Sequence, residues 1–103
     1  MKKTIYIQAK HKDKLLFGYL GEANNSVQAM CDVFEEIKNI VKIPKYMDYS
    51  ETQVIDVTAS INGNTATYSF ILYYEETDKG FQNEVMHTVL DLIDHLWEDN
   101  ERG

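Results

Sequence analysis

Apolar and polar residues alternate from Thr4 to Lys10, and Leu15 to Leu20 form an apolar and aromatic run. The polar tetrapeptide His11-Lys12-Asp13-Lys14 between them predicts a hairpin. With Lys12-Asp13 as a two-residue tip, Ile5, Ile7 and Ala9 share one face with Leu16, Gly18 and Leu20. Tyr6, Phe17 and Tyr19 then fall on the other face, because successive strand side chains point to opposite sides.

The pattern changes after the loop at Gly21 to Asn25. Val27, Met30, Phe34, Ile37 and Val41 recur at spacings of three and four, which places them on one stripe of an α-helix. Ser26 or Asn25 supplies the N-cap acceptor, and Ile43-Pro44 marks the stop, since proline disfavours helical geometry in the residue before it. Lys38 and Lys42 lie near the end where the helix dipole favours cations.

Period two returns on both sides of Asn62-Gly63, a dipeptide suited to a type I′ turn. A two-residue turn there pairs Ile61 with Asn64, Ala59 with Ala66, Val57 with Tyr68 and Ile55 with Phe70, all on one face. Asp56, Thr58, Ser60, Thr65, Thr67 and Ser69 make the other face polar, as in an antiparallel sheet with one wet side. A final helix is expected from about residue 79 to 99, capped by Thr77 or Asp78. Phe81, Val85, Met86, Val89, Leu90, Leu92, Ile93, Leu96 and Trp97 occupy one half of its circumference. Glu84, His87, Asp91, Asp94, His95 and Glu98 occupy the other.

The order ββαββα, without repeat or linker, predicts an α+β domain spanning residues 1–103. Its economical form is a four-stranded antiparallel sheet with two amphipathic helices packed on one face. Strand order does not follow from the pattern. A chain of 103 residues, 44% hydrophobic and 26% charged, can bury one core without a metal or disulfide staple. Cys31 is the only cysteine, so no intrachain disulfide or CxxC pair can form, and a reducing cytoplasmic setting is expected. No apolar run approaches the roughly 20 residues needed to span a bilayer, and Lys2-Lys3 lead straight into the first strand, so neither a membrane span nor a signal peptide is expected.

Charge changes the picture most. Residues 1–50 balance at +2, whereas residues 51–103 balance at −9. Glu84, Asp91, Asp94 and Glu98, continued by Asp99 and Glu101, form an acidic ridge on the last helix. Acids in a last helical turn oppose the helix dipole. The asymmetry points to a partner with a basic surface. Tyr46 and Tyr49, in the connection before the second hairpin, are candidate partner contacts, because tyrosine buries much area at low entropic cost.

Other chemistry is thin. His87, Asp91 and His95 step by four along the ridge, but they lack an HExxH pattern or a fourth ligand, and paired surface residues explain them better than an ion. The lysines of the first hairpin, Lys2, Lys3, Lys10, Lys12 and Lys14, invite a nucleic-acid reading. A net charge of −7 and the absence of an RNA- or DNA-binding signature disfavour it. Cys31 is expected to pack beside the apolar stripe. No P-loop, GxSxG or paired-carboxylate arrangement is present, and no cofactor is implied.

The expectation is therefore a non-enzymatic acidic protein-binding module, of the inhibitor or immunity type, that blocks a basic surface such as a nucleic-acid-binding cleft. The rival is a homodimeric structural or assembly subunit held through an aromatic sheet face of Tyr6, Phe17 and Tyr19, joined by Val54, Ile71 and Tyr73. A third reading is a small metal- or ligand-binding enzyme centred on His87, Asp91 and His95.

Overall fold

The computed structural model describes residues 2–102. Its elements are β1 (Lys3–His11), β2 (Lys14–Ala23), α1 (Ser26–Ile40), β3 (Gln53–Ile61), β4 (Asn64–Leu72) and α2 (Asp78–Arg102). They form an α+β fold with one four-stranded sheet in the order β2-β1-β3-β4, antiparallel throughout. The two hairpins meet through β1 and β3. Both helices cover the same face, α1 leaning on β2 and α2 on β3 and β4.

The second hairpin has the expected register at every pair, from Ile61–Asn64 to Ile55–Phe70. Asn62 and Gly63 adopt φ values of 49° and 89°, the left-handed geometry that the turn requires. Asn62 also ties the turn to β1. Its Oδ1 accepts from the Thr4 N–H at 2.9 Å, while its own N–H donates to the Thr4 carbonyl at 3.0 Å.

The first hairpin departs from expectation. The tip is Lys12-Asp13, since His11 pairs with Lys14, but the register slips between Ala9 and Lys10: Lys10 faces Leu15, while Ala9 faces Phe17. Leu16 is the extra residue of this bulge, and beyond it every β2 side chain is on the opposite face from the regular register. Phe17 is consequently buried and Tyr19 packs against the core, whereas Leu20 points outward at 70% exposure. The inward turn puts two rings under the helices in place of Gly18 and Leu20. Burial among these groups, with the Asp32 and Glu36 carboxylates nearby, raises the Tyr19 pKa.

Asn25 is the α1 cap, accepting from the Gln28 N–H at 2.8 Å. The helix ends at Ile40, before the Ile43-Pro44 stop, and Val41 returns to extended backbone. Its buried positions are Ala29, Val33 and Ile37, with Met30 and Phe34 packed alongside, while Val27 is exposed. Cys31, expected to be packed, is also exposed. Thr77 caps α2 by accepting from the Gly80 N–H at 3.0 Å. Asp78 turns instead to the Ile43 N–H at 2.9 Å, fastening the chain that leaves α1. Phe81, Val85, Val89, Leu92, Ile93, Leu96 and Trp97 are buried in one core with Ile5, Ile7, Val57 and Ile61. Among the described residues no helix is long and apolar enough to cross a membrane.

Candidate functional site

The acidic ridge survives folding as a solvent-facing strip. Because α2 commits its apolar half to β3 and β4, Glu84, Asp91, Asp94, Glu98 and Asp99 are all exposed. The helix continues to Arg102, beyond the expected end near residue 99, so the C-terminal acids lie on regular helix rather than on a tail.

The ridge divides into two electrostatic halves. Toward the C-terminus its acids have internal partners. Arg102 approaches Glu98 at 3.7 Å and Asp99 at 4.0 Å, and His95 Nε2 lies 3.3 Å from Asp99. Glu101 accepts from the Trp97 indole N–H at 2.9 Å and lies 3.9 Å from Lys3 Nζ, which itself sits 4.6 Å from a Trp97 ring centroid. These contacts offset the unfavourable dipole of the last turn. Glu84, Asp91 and Asp94, in contrast, have no cation within 4.0 Å among the described residues. Their charge is directed at solvent.

The two tyrosines take different positions. Tyr46 reaches the end of β1, where its hydroxyl lies 3.2 Å from His11 Nδ1 and its ring lies 4.4 Å beneath the Lys14 ammonium. Tyr49 remains in the connection and lines a shallow depression of about 250 Å³ with Ile71, Tyr73 and Tyr74. The ridge and the tyrosines thus belong to separate parts of the surface, α2 and the end of the sheet where β1 and β3 carry His11 and Gln53.

Sequence reasoning missed the polar centre under Tyr46. His11 and Gln53 are buried, at 5% and 3% exposure. His11 Nε2 bonds to Gln53 Oε1, and the Gln53 amide donates to the Asp48 carbonyl. This assigns the imidazole proton to Nε2 and leaves Nδ1 to accept from Tyr46. The centre floors a recess of about 430 Å³ bordered by Lys12, Asp13, Lys14, Asp48 and Glu51. A signal was present in the sequence: His11 and Gln53 continue the inward positions of β1 and β3, so a polar residue at each requires a buried partner.

The structure does not gather His87, Asp91 and His95 into one group. His95 pairs with Asp99, and His87 borders a groove of about 440 Å³ between the helices with Phe34, Lys38, Lys79, Asn83, Met86 and Leu90. No cluster of three or more His, Cys, Asp or Glu side chains able to hold an ion forms among the described residues. The back of the sheet also differs from the expected aromatic face. Tyr6, Leu20, Val54 and Ile71 are exposed there, but the rows Thr58–Thr67 and Asp56–Ser69, each joined by a side-chain hydrogen bond, separate the Tyr6 end from the Val54–Ile71 end.

No protein-family model, curated protein or solved structure matches the chain.

Proposed function

We infer that the protein is a non-enzymatic, acidic binding module of the inhibitor or immunity type, acting in the cytoplasm by covering a basic surface of a partner protein. The observation that carries this reading is the unpaired half of the ridge. Glu84, Asp91 and Asp94 project from a helix anchored along its other face by seven buried apolar side chains, and no lysine or arginine of the described chain neutralises them. A rigid row of carboxylates raises association rates with a cationic cleft and imitates the charge of a phosphate backbone. Glu98 and Asp99 extend the row and would exchange Arg102 for partner cations. Tyr46 and Tyr49 flank a second contact region.

The test is affinity capture from the source cell with the wild type and an Asp91→Lys, Asp94→Lys double variant. The captured partner is expected to be basic, to elute as salt shortens the Debye length below its physiological value of about 8 Å, and to be lost from the variant. Purified wild type should also block the partner's nucleic-acid binding. Equal retention of the partner by the charge-reversed variant would overturn the role of the ridge.

A further inference from the structure

The outer edge of β4 lacks the devices that keep a sheet edge solitary. Strand edges are ordinarily blunted by lysine, proline, a bulge or short length. The opposite edge, β2, follows this rule with its bulge at Leu16, Lys14 at its start, and Gly18, Gly21 and Glu22 within it. β4 runs for nine residues, Asn64-Thr-Ala-Thr-Tyr-Ser-Phe-Ile-Leu72, without a charge, proline, glycine or register break, in a chain that is 26% charged.

Hydrogen-bond parity identifies the exposed groups. The tight turn makes Ile61–Asn64 a bonded pair, so Asn64, Ala66, Tyr68, Phe70 and Leu72 direct their backbone groups to β3. The bond from the Asn62 N–H to the Thr4 carbonyl confirms this alternation, since even-numbered residues at that end of β3 serve β1. The backbone N–H and C=O groups of Thr65, Thr67, Ser69 and Ile71 therefore face outward from the sheet.

We propose that β4 is a homodimerisation edge, pairing antiparallel with β4 of a second copy about a two-fold axis at Tyr68 to make one continuous eight-stranded sheet. In this register Thr67 bonds to Ser69 of the second copy and Thr65 to its Ile71, which satisfies every outward group with about eight backbone hydrogen bonds. The side chains match as well. On the helix-covered face Ala66 lies beside the second copy's Phe70, small against large, and the two Tyr68 rings meet. Tyr68 is 41% exposed and Phe70 half-buried at this rim, so pairing covers both. On the other face Thr67 and Ser69 place hydroxyls together. β4 itself brings no charge to the seam. The acidic α2 helices, which lie over β3 and β4 of each copy, come to the same face of the joined sheet, so the contact is expected to strengthen as salt screens them. The symmetric match of this register, Tyr68 against Tyr68 and Ala66 against Phe70, commits the edge to a second copy rather than a foreign strand.

Edge pairing of this size belongs with smaller, reversible interfaces, so the test is sedimentation velocity from about 1 to 300 µM. The wild type is expected to double in mass over this range. Tyr68→Lys and Tyr68→Asp, which oppose like charges at the axis, should each remain monomeric, and their equimolar mixture should restore the dimer. Amide exchange provides a reading without mutation: Thr65, Thr67, Ser69 and Ile71 amides should be protected at high concentration and exchange rapidly at low concentration, while Ala66, Tyr68 and Phe70 stay protected at both. A monomer at every concentration, or a dimer that persists in both single variants, would overturn the proposal. The ridge variant Asp91→Lys, Asp94→Lys keeps the β4 edge and lowers the negative charge of each copy, so it should dimerise no more weakly than the wild type, and failure of one reading is distinguishable from failure of the other.

Discussion

The Tyr46 hydroxyl, carried by the connection between α1 and β3, donates to His11 Nδ1 at the end of β1 across 3.2 Å. The contact joins an irregular segment to a buried imidazole whose other nitrogen is committed to Gln53. Gln53→Leu removes the acceptor that the buried His11 N–H finds among the described residues and is expected to cost about 1–3 kcal/mol in urea denaturation. Tyr46→Phe should cost less, under about 1 kcal/mol, because water in the adjoining recess can replace the lost donor. Equal losses would show that the two bonds are equally shielded from solvent.

Lys3 closes the other end of the molecule over Trp97. Its side chain is 13% exposed, with the ammonium 4.6 Å from the ring centroid and 3.9 Å from Glu101. Lys3→Ala is expected to lower stability by about 0.5–1 kcal/mol. It should also shift the fluorescence of the single tryptophan, because the positive charge leaves the indole face. Glu101→Gln keeps an acceptor for the indole N–H and should alter the emission less.

Gly63, at φ 89°, tests the importance of the β3–β4 turn. Gly63→Ala meets no neighbouring atom, so its cost is backbone strain alone. A loss of about 1 kcal/mol, or a Tm lowered by about 4–8 °C, is expected. Asn62→Gly keeps the backbone geometry but removes the acceptor for the Thr4 N–H. It should raise the exchange rate of that amide before any other in β1.

Asp48 makes the connection before β3 sensitive to acid. The Ser50 hydroxyl donates to its carboxylate at 2.7 Å and the Ser50 N–H at 3.0 Å, holding its pKa below the ordinary aspartate value. A depressed folded pKa means that the stabilising contribution is complete above the ordinary value of about 3.9 and disappears as pH falls through the lowered one. The Ser50 amide shift should therefore titrate below the ordinary aspartate range, and Asp48→Ala should abolish that titration.

The legibility of the chain differed sharply between its two hairpins. In β3 and β4, Asn62-Gly63 specifies the turn, and clean alternation allows only one register to bury Ile55, Val57, Ala59 and Ile61 together. In β2 the run Leu15-Leu16-Phe17 is apolar without alternation, so either parity satisfies the pattern. Packing against the helices selects the bulge that sends Phe17 inward. The ridge was readable because helical periodicity separates acids from core residues, but the periodicity did not show which acids find partners. Lys3 is distant from Glu101 in sequence and adjacent in space.

The sequence by itself determined the element order, the second hairpin's register and the sidedness of α2, since each follows from local geometry and a repeating pattern of burial. Tertiary structure alone decided the strand order, the inward turn of Phe17 and Tyr19, the burial of His11 with Gln53, and the division of the ridge into paired and unpaired halves. These depend on distant groups competing for the same space and the same hydrogen bonds, and that competition is settled only when the two hairpins and two helices close on one core.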